Sequence, residues 1–220
     1  MTLQEKLREY ISACFTGIWI ESHEHQDALI EMAQLCRQEQ WTLITWDIFK
    51  GLSVGDNGPT SASDPLAAMR TLSTLATPHD IKVLVLQNFH RFLNSTEIIQ
   101  AVYRQVMDGK QDRTILVVLA PVVQLPVESE KLFVVVENEL PDRPQLAEIA
   151  RGNATEESEL MTDQEFVRVI DAAAGLTRLE AENAFSLSLV RHSQVRPDCV
   201  WELKTQALKK AGRLKKEQSR

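Results

Sequence analysis

Five short runs of aliphatic and aromatic residues constrain the fold of this chain more than any other feature. They lie at residues 17–21, 42–49, 81–86, 114–119 and 132–136. Hydrophobic residues fill nearly every position of the later runs, which is typical of strands that are buried on both faces of a parallel sheet. Segments with helical periodicity lie between most of the runs, as parallel crossovers require. The pattern predicts an α/β fold: a three-layer sandwich with a five-stranded parallel sheet.

The chain changes character after the fifth run, because no further strand-like run follows. Two capping-box sequences, at residues 162–165 and 177–180, predict the starts of helices. The sequence therefore predicts an α/β domain over residues 1–140, a small helical subdomain over residues 141–202 and a basic tail over residues 203–220.

Charge is distributed unevenly between these regions. The chain has 24 Lys and Arg against 31 Asp and Glu, a net charge of −7, while residues 203–220 alone carry seven basic residues and one acidic residue, or +6. The rest of the chain therefore carries −13. Because affinity for nucleic-acid phosphates comes from clustered Lys and Arg, the acidic body argues against a general nucleic-acid coat. Only the tail could bind nucleic acid.

The cysteines and the first residues bear on the compartment. Cys14, Cys36 and Cys199 lie far apart and fit neither a disulfide framework nor a Cys-x-x-Cys metal pair. Charges occupy the amino-terminal residues where a secretory signal needs an apolar stretch, and no run reaches the ~18 apolar residues of a membrane span. The sequence predicts a soluble protein of the cytoplasm that does not bind membranes.

The loop after the first strand lacks the features of a phosphate-binding loop. Such a loop needs glycines, whose backbone amides surround the phosphates, and a lysine. Residues 21–27 (ESHEHQD) contain neither, and their three carboxylates would repel a polyphosphate. The third run is followed by Gln87 and Asn88, where a nucleotide hydrolase usually has an acidic pair for Mg²⁺. We therefore expect no catalytic residue, no bound cofactor and no metal site.

Other polar residues have a chemical and a structural interpretation. His23 and His25 could coordinate a metal, but no third ligand is evident, and a solvated helix start is the favoured interpretation. His90 could act as a general base, but no nucleophile or carboxylate is evident beside it, which favours a structural role or a contact with a partner. The glycine-rich residues 51–63 are predicted to form a loop.

Six short segments, taken in this order, resemble one family. They are residues 46–52 (WDIFKGL), 64–66 (DPL), 85–93 (VLQNFHRFL), 119–121 (LAP), 139–143 (ELPDR) and 175–185 (GLTRLEAENAF). The order resembles an AAA-type ATPase domain, and more narrowly the amino-terminal, degenerate AAA domain of ATPases encoded in cyanobacteria and red-algal plastids and found in other bacteria. The resemblance implies an AAA-like P-loop NTPase fold without a phosphate-binding loop, followed by a helical lid, in the cytoplasm or the plastid stroma. Members of that family usually have Asp at the position of Asn88 and continue into a second AAA domain with a true phosphate loop.

The resemblance also implies a function. It indicates a non-catalytic module that binds or regulates an active AAA ATPase domain or subunit, with homo-oligomerisation as a further option. The alternative is a non-hydrolysing, nucleic-acid-handling subunit of the clamp-loader type, which would use the basic tail. The residues expected to contact a partner are Phe89, His90, Arg91, Arg104, Arg113 and Trp201.

Overall fold

The chain forms two compact units, Met1–Glu139 and Leu140–Arg220. The computed structural model describes residues 1–55, 63–75, 80–156, 159–160 and 162–218 of the 220 residues. Each unit has a hydrophobic core of its own. No helix in these described ranges combines the length and hydrophobicity that crossing a membrane would require.

A six-stranded sheet forms the centre of the first unit. Its strands are β1 (Gly17–Glu21), β2 (Thr42–Asp47), β3 (Gly51–Val54), β4 (Lys82–Gln87), β5 (Thr114–Ala120) and β6 (Val134–Glu137). Their order in the sheet is β3-β2-β4-β5-β1-β6, and every neighbouring pair is parallel except β2 and β3. The predicted parallel sheet is confirmed for five strands, and the structure adds β3, a sixth strand that pairs antiparallel with β2.

A sharp turn between β2 and β3 produces the additional strand. The Asp47 carboxylate accepts hydrogen bonds from the backbone N–H groups of Phe49 (2.9 Å) and Lys50 (2.7 Å). Asp commonly closes turns in this way, because its short side chain reaches the amides that follow it. Gly51 then adopts φ 76°, a left-handed conformation that suits glycine. The chain is thereby reversed within a few residues.

Strand β3 corrects the prediction of a loop over residues 51–63. Leu52 lies opposite Trp46 in the antiparallel pair and is buried in the same core. The glycines in this segment signal a turn, but they do not reveal that an apolar side chain returns to the core directly afterwards. Residues 56–62 of the predicted loop lie outside the described residues.

Helices cover both faces of the sheet. They are α1 (Leu3–Ser12), α2 (His25–Glu39), α3 (Pro65–Leu75) and α4 (Thr96–Asp112). Successive strand residues enter different cores: Ile18 and Val83 pack with α1 and α2, whereas Trp19 and Leu84 pack with α3 and α4. This alternation follows from the period of two in a strand. The predicted three-layer sandwich is confirmed.

Four helices make up the described part of the second unit. They are α5 (Arg143–Asn153), α6 (Asp163–Ala173), α7 (Arg178–His192) and α8 (Pro197–Gln218). Their inward faces form one core around the fully buried Phe185, with Leu146, Val169 and Val200. The predicted helical subdomain is therefore confirmed.

The two predicted capping boxes differ in the structure. At the start of α7, the Thr177 hydroxyl accepts a hydrogen bond from the Glu180 N–H (3.2 Å), and the Glu180 carboxylate accepts one from the Thr177 N–H (3.0 Å). At the start of α6, the Thr162 hydroxyl instead donates to the Glu165 carboxylate at 3.1 Å. The sequence marks both helix starts correctly, but only the first box forms.

Several helices end in left-handed residues other than glycine. These are Gln40 after α2 (φ 59°), Arg113 after α4 (φ 53°) and Ser193 after α7 (φ 54°). Glycine is the usual residue at such a position because it has no Cβ to clash with the backbone. Gly175 (φ 84°), which follows α6, conforms to that rule.

Lys204, counted above with the basic tail, is a structural residue of the second unit. Its ammonium group donates hydrogen bonds to the carbonyl oxygens of Ala172 (3.2 Å) and Ala174 (2.5 Å) at the end of α6. A cation there satisfies carbonyls that lack a partner within the helix and complements the helix dipole. Lys204 thereby fixes α8 against α6. The side chains of residues 210–220 lie outside the described part of the chain.

Candidate functional site

The ends of β1, β4, β5 and β6 meet at one edge of the sheet, here called the carboxyl edge. β1 leads into α2 on one face and β4 leads towards α4 on the other, with β5 lying between these two strands. The connections therefore diverge at this point. In open α/β sheets, such a divergence forms the crevice in which ligands bind. We take this part of the carboxyl edge as the candidate site.

The turn between β1 and α2 is closed by its own hydrogen bonds. Ser22 donates its N–H to the Ala120 carbonyl at 2.9 Å and so extends the sheet. Its hydroxyl oxygen accepts hydrogen bonds from the Glu24 N–H (3.0 Å) and from the side-chain amide of Asn138 (3.1 Å), which follows β6. The Ser22 side chain is buried. The N–H of Glu24, the residue directly before α2, is thus already occupied, in a compact turn without glycine, while α2 itself has no side-chain cap.

Two side-chain amides lie at the end of β4. Gln87 is the last residue of the strand, and the N–H of Asn88 donates to the Leu119 carbonyl at 2.8 Å. Asn88 has φ 54°, a left-handed conformation that Asn adopts more readily than most residues because its short side chain can hydrogen-bond locally. Neither side chain carries a charge that could balance a divalent cation.

An aromatic group fixes the segment that follows. Phe89 and Phe92 belong to a 3₁₀ turn, and the Trp46 ring contacts both edge-to-face, with centroid distances of 5.6 Å and 5.7 Å. Such contacts stabilise an arrangement by about 0.5 to 1.5 kcal/mol beyond the burial of surface. The packing of these aromatic rings therefore stabilises this end of the candidate site.

Two histidines near the turn, His25 and His90, have lowered pKa values. Burial is the main cause that lowers the pKa of His25, and charges on His23 and His90 lower it further, against a hydrogen bond to the Ser22 backbone that raises it. Burial also lowers the pKa of His90, and the charge of Arg91 adds to the effect. Protonation of His25 and His90 is therefore disfavoured in the folded protein.

His90 is a buried histidine whose charge contributes to lowering the pKa of His25. Its side chain is buried, and Nδ1 has no hydrogen-bond partner among the described residues. Within the same residues, no three His, Cys, Asp or Glu side chains are arranged so that they could hold a metal ion.

Two of the side chains expected to contact a partner are covered by the chain itself. Phe89 is 0% exposed and His90 is 5% exposed, whereas Arg91 in the same turn is exposed. A side chain without exposed surface does not touch a partner in this conformation. Of these three residues, the structure places only Arg91 at the surface.

The remaining expected contacts are scattered. Arg104 is exposed and lines a groove between α3 and α4 with a cavity volume of about 610 Å³. Arg113 directly precedes β5 and so lies at the amino edge of the sheet, away from Arg91. Trp201 belongs to α8 of the second unit, is 51% exposed, and has the Lys204 ammonium 4.8 Å from its ring centre. Within the first unit, the structure does not bring Arg91, Arg104 and Arg113 together into one site.

Sequence reasoning missed several exposed large apolar side chains. Phe49 is 91% exposed and Ile48 is 57% exposed in the turn after β2, and Val127 is 85% exposed in the connection between β5 and β6. In the sequence, Ile48 and Phe49 continue the apolar run at residues 42–49, and this run predicts one uninterrupted strand. The available signal was Asp47, which can close a turn and here ends the strand.

The matches to known proteins follow the division into two units. Residues 3–138 match the family described as SpoVK-like AAA ATPase, N-terminal domain, and residues 144–211 match SpoVK-like AAA ATPase, second domain. No curated protein matches the chain. Among solved structures, the chain is similar to C. elegans PCH-2, with 10% sequence identity over 95% of this chain and 68% of that chain and a TM-score of 0.57. At this identity the likeness concerns the fold alone.

Proposed function

The chain belongs to the SpoVK-like AAA ATPases, and from this premise we propose that it is a non-catalytic AAA-like module. In this proposal it binds or regulates an active AAA ATPase domain, within one protein or as a separate subunit, and does not hydrolyse nucleotide itself. The location that accompanies the proposal is the cytoplasm or the plastid stroma. The single observation that carries it is the closed turn between β1 and α2.

That turn is poorly suited to a polyphosphate. Phosphates bind at helix starts through free backbone N–H groups, but the Glu24 N–H is held by Ser22, which Asn138 holds in turn. Each hydrogen bond broken to open the turn would cost about 1 kcal/mol. The carboxylates of Glu21, Glu24 and Asp27 add repulsion, of about 1 kcal/mol for unit charges 4 Å apart in water and several times more near a protein surface.

The end of β4 gives independent support. Phosphoryl transfer needs a hard cation and a group that orients or deprotonates the nucleophile. Gln87 and Asn88 carry no charge for a cation, and an amide does not accept a proton near neutral pH. Both features point to a module whose role is contact rather than catalysis.

Calorimetric titration with MgATP and MgADP tests the proposal directly. We expect no binding tighter than about 100 μM, and no release of phosphate from ATP. An AAA domain with an intact GxxxxGK[ST] loop, titrated in parallel, is the positive control. Magnesium-dependent binding above that affinity, or nucleotide density against residues 22–27 in a soaked crystal, would contradict the proposal.

The regulatory half of the proposal needs its own measurement. The ATPase rate of a SpoVK-like AAA ATPase domain with an intact phosphate loop is followed while the full chain is added. We expect the rate to change and to saturate as the chain is added. An unchanged ATPase rate, together with no co-sedimentation of the two proteins, would contradict the regulatory part of the proposal.

The second candidate, a nucleic-acid-handling subunit, has one observation in its favour. Helix α8 continues from Lys204 to Gln218 and carries most of the basic residues of the tail. Binding of single- or double-stranded DNA should then weaken steeply with salt, because each phosphate contact releases counterions. Deletion of residues 209–220 should abolish it while keeping Lys204 in place. Binding that is insensitive to salt, or survives the deletion, would exclude this candidate.

A further inference from the structure

A groove lies between α3 and α4, on the face of the sheet away from α1 and α2. Its cavity volume of about 610 Å³ is within the usual range of ligand-binding pockets, about 300 to 1,000 Å³. Leu66 and Met69 of α3 and Ala101 of α4 give it an apolar floor. The groove is separate from the carboxyl-edge turn on which the proposed function depends, so it needs an explanation of its own.

Three charged side chains surround the apolar floor without neutralising one another. Arg70, Glu97 and Arg104 line the groove and are exposed, and none of them forms an ion pair with another described residue. Arg104 follows Glu97 by about two helical turns, so the two lie on one face of α4. The two arginines give the groove a net positive charge, although the chain before residue 203 is acidic overall.

The exposure of the arginines decides which kind of ligand the groove could hold. Solvent screens exposed ion pairs, so each contributes little to affinity, and a small anion such as free phosphate would gain little else here. A nucleic acid would meet only two arginines beside a repelling Glu97, whereas phosphate binding depends on clustered cations. A ligand must therefore bury apolar surface on the floor of the groove and use charge to fix its orientation.

The walls of the groove decide between the two common forms of a bound peptide. An extended peptide binds by adding backbone hydrogen bonds to the edge of a sheet. Both walls here are helices, whose interior N–H and C=O groups are already bonded within the helix. A helical peptide satisfies its own backbone groups and presents only side chains, with one apolar face. The walls therefore favour a helical ligand.

We propose that the groove binds an amphipathic helix of a partner protein, with acidic side chains beside its apolar face. The apolar side chains, spaced three and four residues apart, pack on the floor of the groove. The acidic side chains pair with Arg70 and Arg104 and so set the direction of the helix. This inference goes beyond the proposed function, because the partner helix need not belong to an AAA ATPase domain.

Fluorescence polarisation with labelled peptides and the full chain tests this inference. The probe is a peptide of about five helical turns, with leucines spaced three and four residues apart and glutamates on both flanks of the leucine row. In the matched peptide, every glutamate is replaced by lysine. The glutamate peptide should bind with a Kd between about 1 and 300 μM, and the lysine peptide should bind at least about tenfold more weakly.

Substitutions in the groove connect this binding to its residues. Arg70→Glu and Arg104→Glu should each weaken binding of the glutamate peptide by about three- to tenfold, and Arg104→Glu should strengthen binding of the lysine peptide. Ala101→Gln places a longer side chain on the floor and should weaken both peptides. Arg37→Glu, at an exposed position of α2 on the other face of the sheet, is the matched control and should bind like the wild type. Circular dichroism checks that each variant is folded.

Several results would overturn the inference. They are a glutamate peptide that does not bind below about 300 μM, equal affinity for the two peptides, or folded Arg70→Glu and Arg104→Glu variants that bind like the wild type. Displacement of the peptide by duplex DNA would also overturn it, because the groove would then be a surface for nucleic acid. The proposed function is measured by nucleotide titration and would be unaffected by these outcomes.

Discussion

At the scale of single residues, Lys204 illustrates how position decides the role of a charge. By composition it belongs to a basic tail, yet its ammonium group contacts two carbonyl oxygens at the end of α6. Hydrogen bonds from a charged donor contribute about 1.5 to 3 kcal/mol each when they are protected from solvent. Because Lys204 is only partly buried, we expect each of its hydrogen bonds to contribute less than the upper limit of that range.

Replacing Lys204 by Met keeps most of the aliphatic chain and removes the charge. We expect Lys204→Met to lower the free energy of unfolding by about 1 to 3 kcal/mol, because the carbonyl groups at the end of α6 lose their donor. Urea denaturation followed by circular dichroism measures the change. Lys209→Met, at an exposed position of the same helix, is the matched control and should leave stability within error. Equal effects of the two substitutions would contradict the capping role.

The histidines of the candidate site should make stability depend on pH. The pKa values of His25 and His90 are lowered in the folded state, while an unfolded histidine titrates near 6.5. Below about pH 6.5 the unfolded chain therefore binds more protons, and stability falls as the pH decreases. We expect His25→Gln to reduce this fall between pH 7.5 and 5.5, in urea denaturation at each pH.

The control for that experiment is His192→Gln, which removes an exposed imidazole from the second unit. It should reproduce the pH dependence of the wild type. If His25→Gln also left the pH dependence unchanged, the lowered pKa of His25 would have no measurable effect on folding.

At the scale of elements, two helical glycines have opposite surroundings. A Cβ on Gly109, in α4, would collide with the Thr114 carbonyl oxygen and come within 3.2 Å of the Thr16 side chain. A Cβ on Gly152, in α5, would meet nothing within 4 Å. Gly109 is thus required where α4 passes close to the start of β5, and Gly152 is not required for packing.

The substitutions Gly109→Ala and Gly152→Ala form a matched pair. Gly109→Ala should destabilise the protein by about 1 to 3 kcal/mol, since the backbone must shift to admit the methyl group. Gly152→Ala should stabilise it by up to about 1 kcal/mol, because alanine is the better helix former. Thermal and urea denaturation of both variants measure the difference. Equal changes would show that the close approach at Gly109 is relieved without cost.

The parts of the fold that the sequence predicts are those that one physical cause dominates. Strands β4 and β5 are buried on both faces, so an unbroken apolar run marks them. Strand β3 is not marked in this way, because its four residues begin with a glycine and Leu52 is its only buried apolar side chain. In the candidate site, the sequence shows directly that glycine and lysine are absent from the loop after β1. It does not predict the hydrogen bonds from Glu24 and Asn138 to Ser22, since Asn138 is distant along the chain.

At the scale of the whole molecule, the two units have separate cores, and the regions that match the two family domains meet close to their boundary. We expect each unit to retain its own fold when expressed alone. Residues 140–220 should give a helical circular-dichroism spectrum and a cooperative thermal transition, because Phe185 and its neighbours bury their surface within this unit. A spectrum without helix, or melting without a transition, would show that its core is insufficient alone.

The left-handed residues that close α2, α4 and α7 have a consequence for engineering. A side chain other than glycine costs about 1 to 2 kcal/mol in that conformation, and the greater freedom of an unfolded glycine offsets about 0.5 to 1 kcal/mol of any relief. Gln40 and Arg113 precede β2 and β5 at the amino edge, far from the histidines, and Ser193 belongs to the other unit. Glycine at these three positions is therefore expected to make the fold more stable without changing the carboxyl edge of the sheet, and Arg113→Gly also removes one of the side chains expected to contact a partner.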